Sequence, residues 1–515
     1  MRRAAVVSGI VVVALAVGGT VLVQHRVATA RAKDRREALA VGQRFLADWS
    51  AHRYDDMGAL TASGDAPGDV FTRLDARLKI SQLSVVPGAL AADGKHLPFT
   101  VSAQLSGLGE LGWITRLELG KTGNRWLVRF HSDAVYPGLR NGQTLTRSQP
   151  HISHGDLLDR TGTAIRPADL DLAANVLGKV ATSGLERIYA AQLTGSSGGD
   201  VQIKDPATGT STLVKHFPAK PADNVTTTLD LGLQKAGEAA LKGVPGTAAL
   251  VALDAATGEV RALVNPPVAG LPPAYSLQAP GSTFKIVVAA AALLHGATLQ
   301  TPLACPATAT FGGKAFGNDE PLPPKLTLQQ AFAKSCNTAF LNLANTLPKG
   351  TLRQTAPLFG FDRGALLPGG GGGTIPEPAG TTEAYADAIG QGRVEASPVL
   401  LASMAAAVAS GTWHQPHLVP GEATSSPLPS GIVAPLQTMM AGVVTSGTAA
   451  HAGLPTGTAG KTGTAQFGTG SPLATHAWFA GFAKGLAFCV YAERGASGGS
   501  VAAPAAARFL RALPG

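Results

Sequence analysis

The sequence predicts a multi-domain chain whose largest part is an α/β (α+β) domain with an antiparallel sheet between helical layers. At 515 residues it is long enough for two to four domains with a sizeable core. Two strand-like runs, Ala248 to Asp254 and Glu259 to Val264, flank Ala255 to Gly258, a turn of the kind that closes a hairpin. A long apolar helical stretch follows Pro280-Gly281, and further helical patterns run from Leu328 to Ala333, with Thr327 as N-cap, and from Thr338 to Leu343. A sheet interleaved with apolar helices must be covered by them.

In chain order, Ala4 to Val23 are 20 consecutive residues without a charge, preceded by Arg2 and Arg3. That length spans a bilayer. A cleaved signal peptide is the rival reading, with Ala28-Thr29-Ala30 as a cleavage site, but its apolar region is usually shorter, so an uncleaved single-pass anchor is expected over 1–30. Arg26, Arg31, Lys33, Arg35 and Arg36 outnumber the leading arginines, against the positive-inside tendency, so the segment does not set its own orientation.

From Lys33, Ala38, Val41, Phe45 and Trp49 recur as on an amphipathic helix. Alternating runs follow at Phe99 to Leu105, Trp113 to Leu119 and Trp126 to Phe130, the pattern of an antiparallel sheet ending near Tyr136. This gives a small α+β domain over 31–145. A β-rich region over 146–222 comes next, with Gly and Ser at 195 to 199 marking a loop. The largest domain occupies 223–515. Inside it, the five glycines from Gly369 to Gly373 lack the ending of a phosphate loop and are expected to form a flexible surface loop.

Net charge is +9 and the isoelectric point lies near 9.5, which suits nucleic acid, an anionic cell envelope or a merely basic surface. No recognition-helix, zinc or RNA-binding motif accompanies the charge, so no nucleic-acid partner is expected. Neither the 12 histidines nor Cys305, Cys336 and Cys489 fall at metal-ligand spacings, and no metal or other cofactor is expected. Three cysteines allow at most one disulfide, and Cys336 reads as a small buried residue.

The chemistry centres on Ser282 and Lys285, one helical turn apart. A serine hydroxyl is a weak nucleophile at neutral pH, and a lysine amine takes its proton only when burial or a second cation lowers its pKa. Ile286 to Leu294 are all apolar, so this lysine enters a buried helix. Ser335-Cys336-Asn337 and Lys461-Thr462-Gly463-Thr464 follow, giving S-x-x-K, S-x-N and K-T-G in order. A second K-T-G at Lys121-Thr122-Gly123 lies at a Gly-Asn turn between strands and is expected to be structural.

This ordered triple resembles the penicillin-binding transpeptidase and serine beta-lactamase superfamily. Several unlinked segments agree: Thr228 to Gln234 as the lead-in helix, Gly390-Gln391-Gly392 with Ser397-Pro398 behind the site, Gly447-Thr448-Ala449 before K-T-G, and Trp478 to Phe482 beside it. The segment from His154 to Gly162 resembles the pedestal, or dimerisation, signature of class B penicillin-binding proteins, with histidine replacing the leading arginine. The helix and sheet over 31–145 resemble the cone-shaped N-terminal domain of methicillin-resistance-type members. The resemblance implies a cell-membrane protein with its catalytic domain outside the cytoplasm.

It also implies roles. Ser282 is the acylated nucleophile, Lys285 its base, Ser335 a proton relay and Asn337 a substrate and lysine anchor. Lys461 depresses the pKa of Lys285 and, with Thr462, Gly463 and Thr464, forms the site for the terminal carboxylate; the backbone N–H groups of Ser282 and Thr464 form the oxyanion hole. The substrates are peptidoglycan stem peptides, with beta-lactams as mimics. Room ahead of residue 150 is too small for a glycosyltransferase domain, so a separate polytopic membrane glycosyltransferase is the expected partner. A beta-lactamase, a D,D-carboxypeptidase and a non-catalytic beta-lactam sensor or scaffold are the alternatives. Glu377 and Glu383 lie where a deacylating carboxylate would fall.

Overall fold

The computed structural model describes residues 4–62, 67–149, 151–165, 184–265, 271–421, 423–470 and 472–513, with 4–25, 152 and 184 as backbone alone. The chain divides into two compact units, Met1–His154 with Thr194–Ala222, and Gly155–Leu193 with Asp223–Gly515.

The smaller unit begins with helix α1 (Ala4–Ser50). The expected anchor, Ala4 to Val23, falls where side chains lie outside the described residues; among the described residues no helix is long and apolar enough to cross a membrane. Further along, Ala38, Phe45 and Trp49 are fully buried, the stripe that the periodicity predicts. They meet helix α2 (Pro67–Leu78), where Phe71 lies 4.3 Å from Trp49 between ring centroids. Strands β1 (Ile80–Pro87), β2 (His96–Leu105), β3 (Gly109–Thr122) and β4 (Arg125–Arg129) form an antiparallel sheet in that order. Leu97, Phe99, Val101, Ala103 and Leu105 are buried and the residues between them are not, so one face of the sheet closes this core.

Lys121 ends β3 and Gly123 turns the chain with φ +61°. The Lys121 ammonium pairs with Asp34 at 2.7 Å and lies over the Trp126 ring, so this K-T-G copy is part of a surface hairpin. A three-stranded sheet of β5 (Thr144–Arg147), β6 (Gly199–Lys204) and β7 (Ser211–Phe217), with β6 central, completes the unit.

In the larger unit, Leu157 and Leu158 pair in parallel with Val225 and Thr226. The buried Asp159 accepts N–H bonds from Thr161 and Thr163, so the chain from Asp159 to Thr163 is fixed as a turn. Asp230 caps helix α3 (Leu231–Leu241) by accepting from the N–H groups of Gly232 and Leu233. The predicted hairpin is present as β8 (Ala248–Asp254) and β9 (Val260–Val264). A 3-10 turn over Gly281–Phe284 leads into α4 (Lys285–Leu294). After a small hairpin of β10 (Thr308–Phe311) and β11 (Lys314–Gly317) come α5 (Leu328–Ala333) and α6 (Asn337–Thr346). Then follow α7 (Thr381–Ala388), α8 (Pro398–Ser410), α9 (Ser430–Thr445), β12 (Ala459–Phe467), β13 (Ala474–Ala483), β14 (Leu486–Ala492) and α10 (Ala503–Arg511).

The main sheet is antiparallel throughout and runs β9-β8-β14-β13-β12. Strand residues face alternate sides, and β8 is buried at six consecutive positions from Ala248 to Leu253, so helices must cover both faces. This is the predicted antiparallel sheet between helical layers. Strand β12 is an edge, and the Gly281–Phe284 turn packs along it.

The glycine run corrects the expected flexible loop. Gly371, Gly372 and Gly373 are buried, and Gly373 pairs with Ala396. A Cβ on Gly372 would stand 2.2 Å from the carbonyl oxygen of Gly364, and one on Gly373 2.3 Å from Leu400. Here a run of glycine reflects close backbone approach rather than freedom of motion.

Candidate active site

Ser282 lies within the 3-10 turn, and Lys285 is the first residue of α4, so the pair sits at the turn-to-helix junction and not inside one regular helix. Ile286 to Ala291 are fully buried, as a helix apolar on all sides requires. The turn is set by Gly281, with φ +53°. A Cβ there would stand 2.4 Å from the Thr464 carbonyl oxygen, which shows how closely β12 approaches the nucleophile backbone. From behind, the Gly281 N–H donates to the Gly390 carbonyl at 2.8 Å. Gly390, with φ +72°, would carry a Cβ only 1.9 Å from the Gly281 carbonyl oxygen, so the Gly390-Gln391-Gly392 segment packs where the sequence placed it. The Trp478 indole N–H donates to the Ala279 carbonyl at 3.0 Å and ties the same turn to β13.

Ser335 and Asn337 bracket the start of α6. The Lys285 amine donates to the Ser335 carbonyl and to Asn337 Oδ1, each at 2.7 Å, and lies 3.3 Å from Ser335 Oγ. The Lys461 amine donates to Ser335 Oγ and to the Thr462 carbonyl, each at 3.0 Å. Ser335 therefore joins the two lysines. It does so from a left-handed backbone, φ +58°, which costs a non-glycine residue roughly 1 kcal/mol or more.

Both lysines are completely buried. Desolvation pushes the Lys285 amine far below its ordinary pKa, the Lys461 charge pushes the same way, and Asp319 opposes both. Burial brings Lys461 down to about 7, again with Asp319 opposing. Both burial and the neighbouring Lys461 charge thus disfavour the charged form of Lys285, which is what a lysine that takes up a proton needs.

The remaining K-T-G residues line β12. Thr462 Oγ1 meets Thr448 Oγ1 at 2.5 Å, and Thr464 Oγ1 accepts from the Gly498 N–H at 3.2 Å. A Cβ on Gly463 would stand 2.6 Å from the Pro280 carbonyl oxygen and 2.8 Å from Thr283 Cγ2, so only glycine lets β12 lie against the nucleophile turn. The structure therefore gathers Ser335, Asn337, Lys285 and Lys461 into one hydrogen-bonded group, with Ser282 and Thr462, Gly463 and Thr464 on the two elements that pack together there.

Two supports, the Cys305–Cys336 pairing and Asn318, had no pattern in the sequence, whereas Thr448 falls in the segment before K-T-G that the resemblance matched. Cys305 and Cys336 form a disulfide, so Cys336 is more than a small buried residue. Thr448 N–H donates to the Ala333 carbonyl at 3.1 Å while its hydroxyl holds Thr462, linking α5 to β12. Asn318, beyond the β10–β11 hairpin, accepts from the N–H groups of Asn337 and Thr338 at 2.9 and 3.2 Å. A pairing 31 residues apart and a cap contributed 19 residues upstream leave no local signal.

A serine turn along the edge of an antiparallel sheet, leading into a helix that opens with one of two buried lysines, is the arrangement of the serine transpeptidases and beta-lactamases. Within that class the chain belongs to the penicillin-binding protein transpeptidases: residues 248–511 match the penicillin binding protein transpeptidase domain. Residues 37–143 match the NTF2-like N-terminal transpeptidase domain. The chain is 32% identical over 357 residues to the Mycobacterium tuberculosis (strain CDC 1551 / Oshkosh) protein named Peptidoglycan D,D-transpeptidase PbpA, covering 55% of this chain and 70% of that one. Among solved structures, the ceftriaxone acyl-enzyme complex of penicillin-binding protein A from M. tuberculosis is similar, with TM-score 0.59 and 26% identity over 70% of this chain and 98% of that one. A chain from a peptidoglycan synthase complex shares the fold, with TM-score 0.62 and 24% identity over 73% of this chain and 93% of that one.

Proposed function

We propose that this protein is a D,D-transpeptidase that cross-links peptidoglycan stem peptides by serine acyl transfer, and that beta-lactams acylate the same serine. The observation that carries the reading is the fully buried Lys285 amine, held by the Ser335 carbonyl and Asn337 Oδ1, with burial and the Lys461 charge both pushing its pKa down and favouring the form that can take the Ser282 proton. Ser282 Oγ attacks the carbonyl carbon of the penultimate D-alanine as its proton passes to Lys285. Ser335 relays a proton to the leaving amine, the peptide bond breaks, and terminal D-alanine departs. An acceptor amine from a second stem peptide then attacks the ester carbonyl, the bond to Ser282 Oγ breaks as the amide cross-link forms, and the amine's proton passes to that oxygen. Lys461, Thr462, Gly463 and Thr464 receive the terminal carboxylate, and the N–H groups of Ser282 and Thr464 stabilise the oxyanion.

Two carboxylates bear on the hydrolytic alternative. Glu377 pairs with Arg353, and Glu383 pairs with Arg393. Each carboxylate is thus already occupied by an arginine, which argues against either as a deacylating base. Residues 1–30 act as a membrane anchor, 31–145 and 146–222 as spacer and pedestal, and 223–515 as the catalytic domain outside the cytoplasm. A membrane glycosyltransferase supplies the glycan strands, as the resemblance implies. The test is incubation with a stem pentapeptide and an acceptor amine, followed by mass spectrometry. Cross-linked product with released D-alanine, absent from Ser282→Ala, is expected; only hydrolysed tetrapeptide would make the protein a carboxypeptidase.

A further inference from the structure

We propose that Asn318 is a positioning residue for acyl transfer: its side-chain amide caps helix α6 from outside and holds Ser335 and Asn337 against the two lysines. The inference rests on the proposed roles of those two residues.

A helix begins with backbone N–H groups that have no partner in the helix, and usually the residue just before it supplies an acceptor. For α6 that residue is Cys336, whose sulfur is engaged in the disulfide with Cys305 and offers only a weak acceptor, 3.3 Å from the Ala339 N–H. The strong acceptor comes from elsewhere. Asn318 Oδ1 receives the N–H of Asn337 at 2.9 Å and of Thr338 at 3.2 Å. Its Nδ2 donates to the Pro306 carbonyl at 3.0 Å, and the Thr338 hydroxyl donates to the same carbonyl at 2.7 Å. The amide thus fastens the first turn of α6 to the strand of chain beside Cys305.

What this fastening holds is specific to the chemistry. Asn337 Nδ2 donates to the Gly317 carbonyl at 3.0 Å, which aims Oδ1 of the same amide at Lys285. Immediately before, Ser335 keeps its left-handed backbone, and through that conformation its carbonyl reaches Lys285 while its hydroxyl reaches Lys461. A non-glycine residue relaxes out of that region unless its neighbours over-determine it. On the amino-terminal side, the Ser335 N–H donates to the Phe332 carbonyl at 3.1 Å, at the end of α5. On the carboxyl-terminal side, Asn318 and the disulfide are the tethers. Because the hydrogen bonds from Lys285 to Ser335 and Asn337 favour its protonated form, loosening them also changes when the amine titrates. The charged groups acting on Lys285 are Lys461 and Asp319.

The test uses the full chain under oxidising conditions, with Asn318→Ala, Asn318→Asp and Ser335→Ala. Benzylpenicillin acylation is timed by intact mass from pH 5 to 9 and normalised to the fraction of protein that can be acylated. Amide hydrogen exchange is read at Asn337 and Thr338. Asn318→Ala should lose about 10- to 100-fold in the plateau acylation rate constant, expose both amides, and move the acid limb to lower pH. Asn318→Asp keeps the acceptor and adds a negative charge, so it should keep the amides protected and move the acid limb to higher pH. A folded Asn318→Ala protein with the wild-type rate constant and pH profile overturns the proposal, as does Asn318→Asp with both amides exposed. If Ser335→Ala also acylates normally, the proposed role of Ser335 has failed; if Ser335→Ala is crippled while Asn318→Ala is normal, only the positioning role has.

Discussion

Lys461→Met should make the larger unit more stable at neutral pH while abolishing its chemistry. Lys461 is fully buried, and its pKa is lowered from 10.5 to about 7. Between those values the unfolded chain holds more protons than the folded one, so stability rises with pH through that window. At pH 7 the lowered pKa corresponds to a cost of about 4 kcal/mol, falling to about 1 kcal/mol by pH 10. Against this stand the two hydrogen bonds that Lys461 makes, to Ser335 Oγ and the Thr462 carbonyl, worth about 1 kcal/mol each. Methionine fills a similar volume without a charge. The variant should therefore gain about 2 kcal/mol at pH 7 and lose that advantage by pH 10. Removing the second cation also lets Lys285 protonate at higher pH, so acylation should fall by about 100-fold or more. Pulse proteolysis in urea at pH 7 and pH 10 measures the first effect, and intact mass with benzylpenicillin the second. A variant destabilised at pH 7, or a stability difference that ignores pH, would refute the reasoning that burial of the Lys461 ammonium lowers its pKa at a cost to stability.

Three further outcomes follow from the geometry. Asp319→Asn removes the carboxylate that opposes the lowering of both lysine pKa values, so the acid limb of benzylpenicillin acylation should move to lower pH, read from rates between pH 5 and 8. Gly281→Ala places a Cβ 2.4 Å from the Thr464 carbonyl oxygen at φ +53°, and acylation should drop by about 100-fold or more, measured as adduct formed over time. Replacing both Cys305 and Cys336 with serine opens a cross-link spanning 31 residues, which should lower unfolding free energy by about 3 kcal/mol in urea denaturation.

The readable parts of this chain were those where chemistry or periodicity repeats locally. Alternation from Phe99 to Leu105 gave β2, the stripe through Ala38 and Trp49 gave the buried face of α1, and Thr327 marked the start of α5 as its N-cap, to which the structure adds a capping box with Gln330. The three motifs of the proposed site were legible because each packs its chemistry into four residues or fewer. Lys121-Thr122-Gly123 showed the limit in the other direction, since the same letters make a surface hairpin when no serine turn lies against them.

What escaped the sequence is long-range. Gly369 to Gly373 read as flexible because composition reports freedom of the unfolded chain, whereas Leu400 and Gly364 leave no space for side chains in the folded one. Asn318 and Cys305 each act on a motif from outside it, and only the folded backbone brings them there. The 3-10 turn at Ser282 likewise follows from the approach of Thr464 and Gly390, which no helical periodicity encodes.

The central claim is that Ser282 is the acylated nucleophile, driven by a neutral Lys285. Its most direct test is intact mass over time after adding benzylpenicillin, with peptide mapping of the adduct, for the wild type beside Ser282→Ala. The account predicts a persistent one-drug adduct on the peptide containing Ser282 and none on the variant. An adduct on another residue, or one that survives Ser282→Ala, would contradict it.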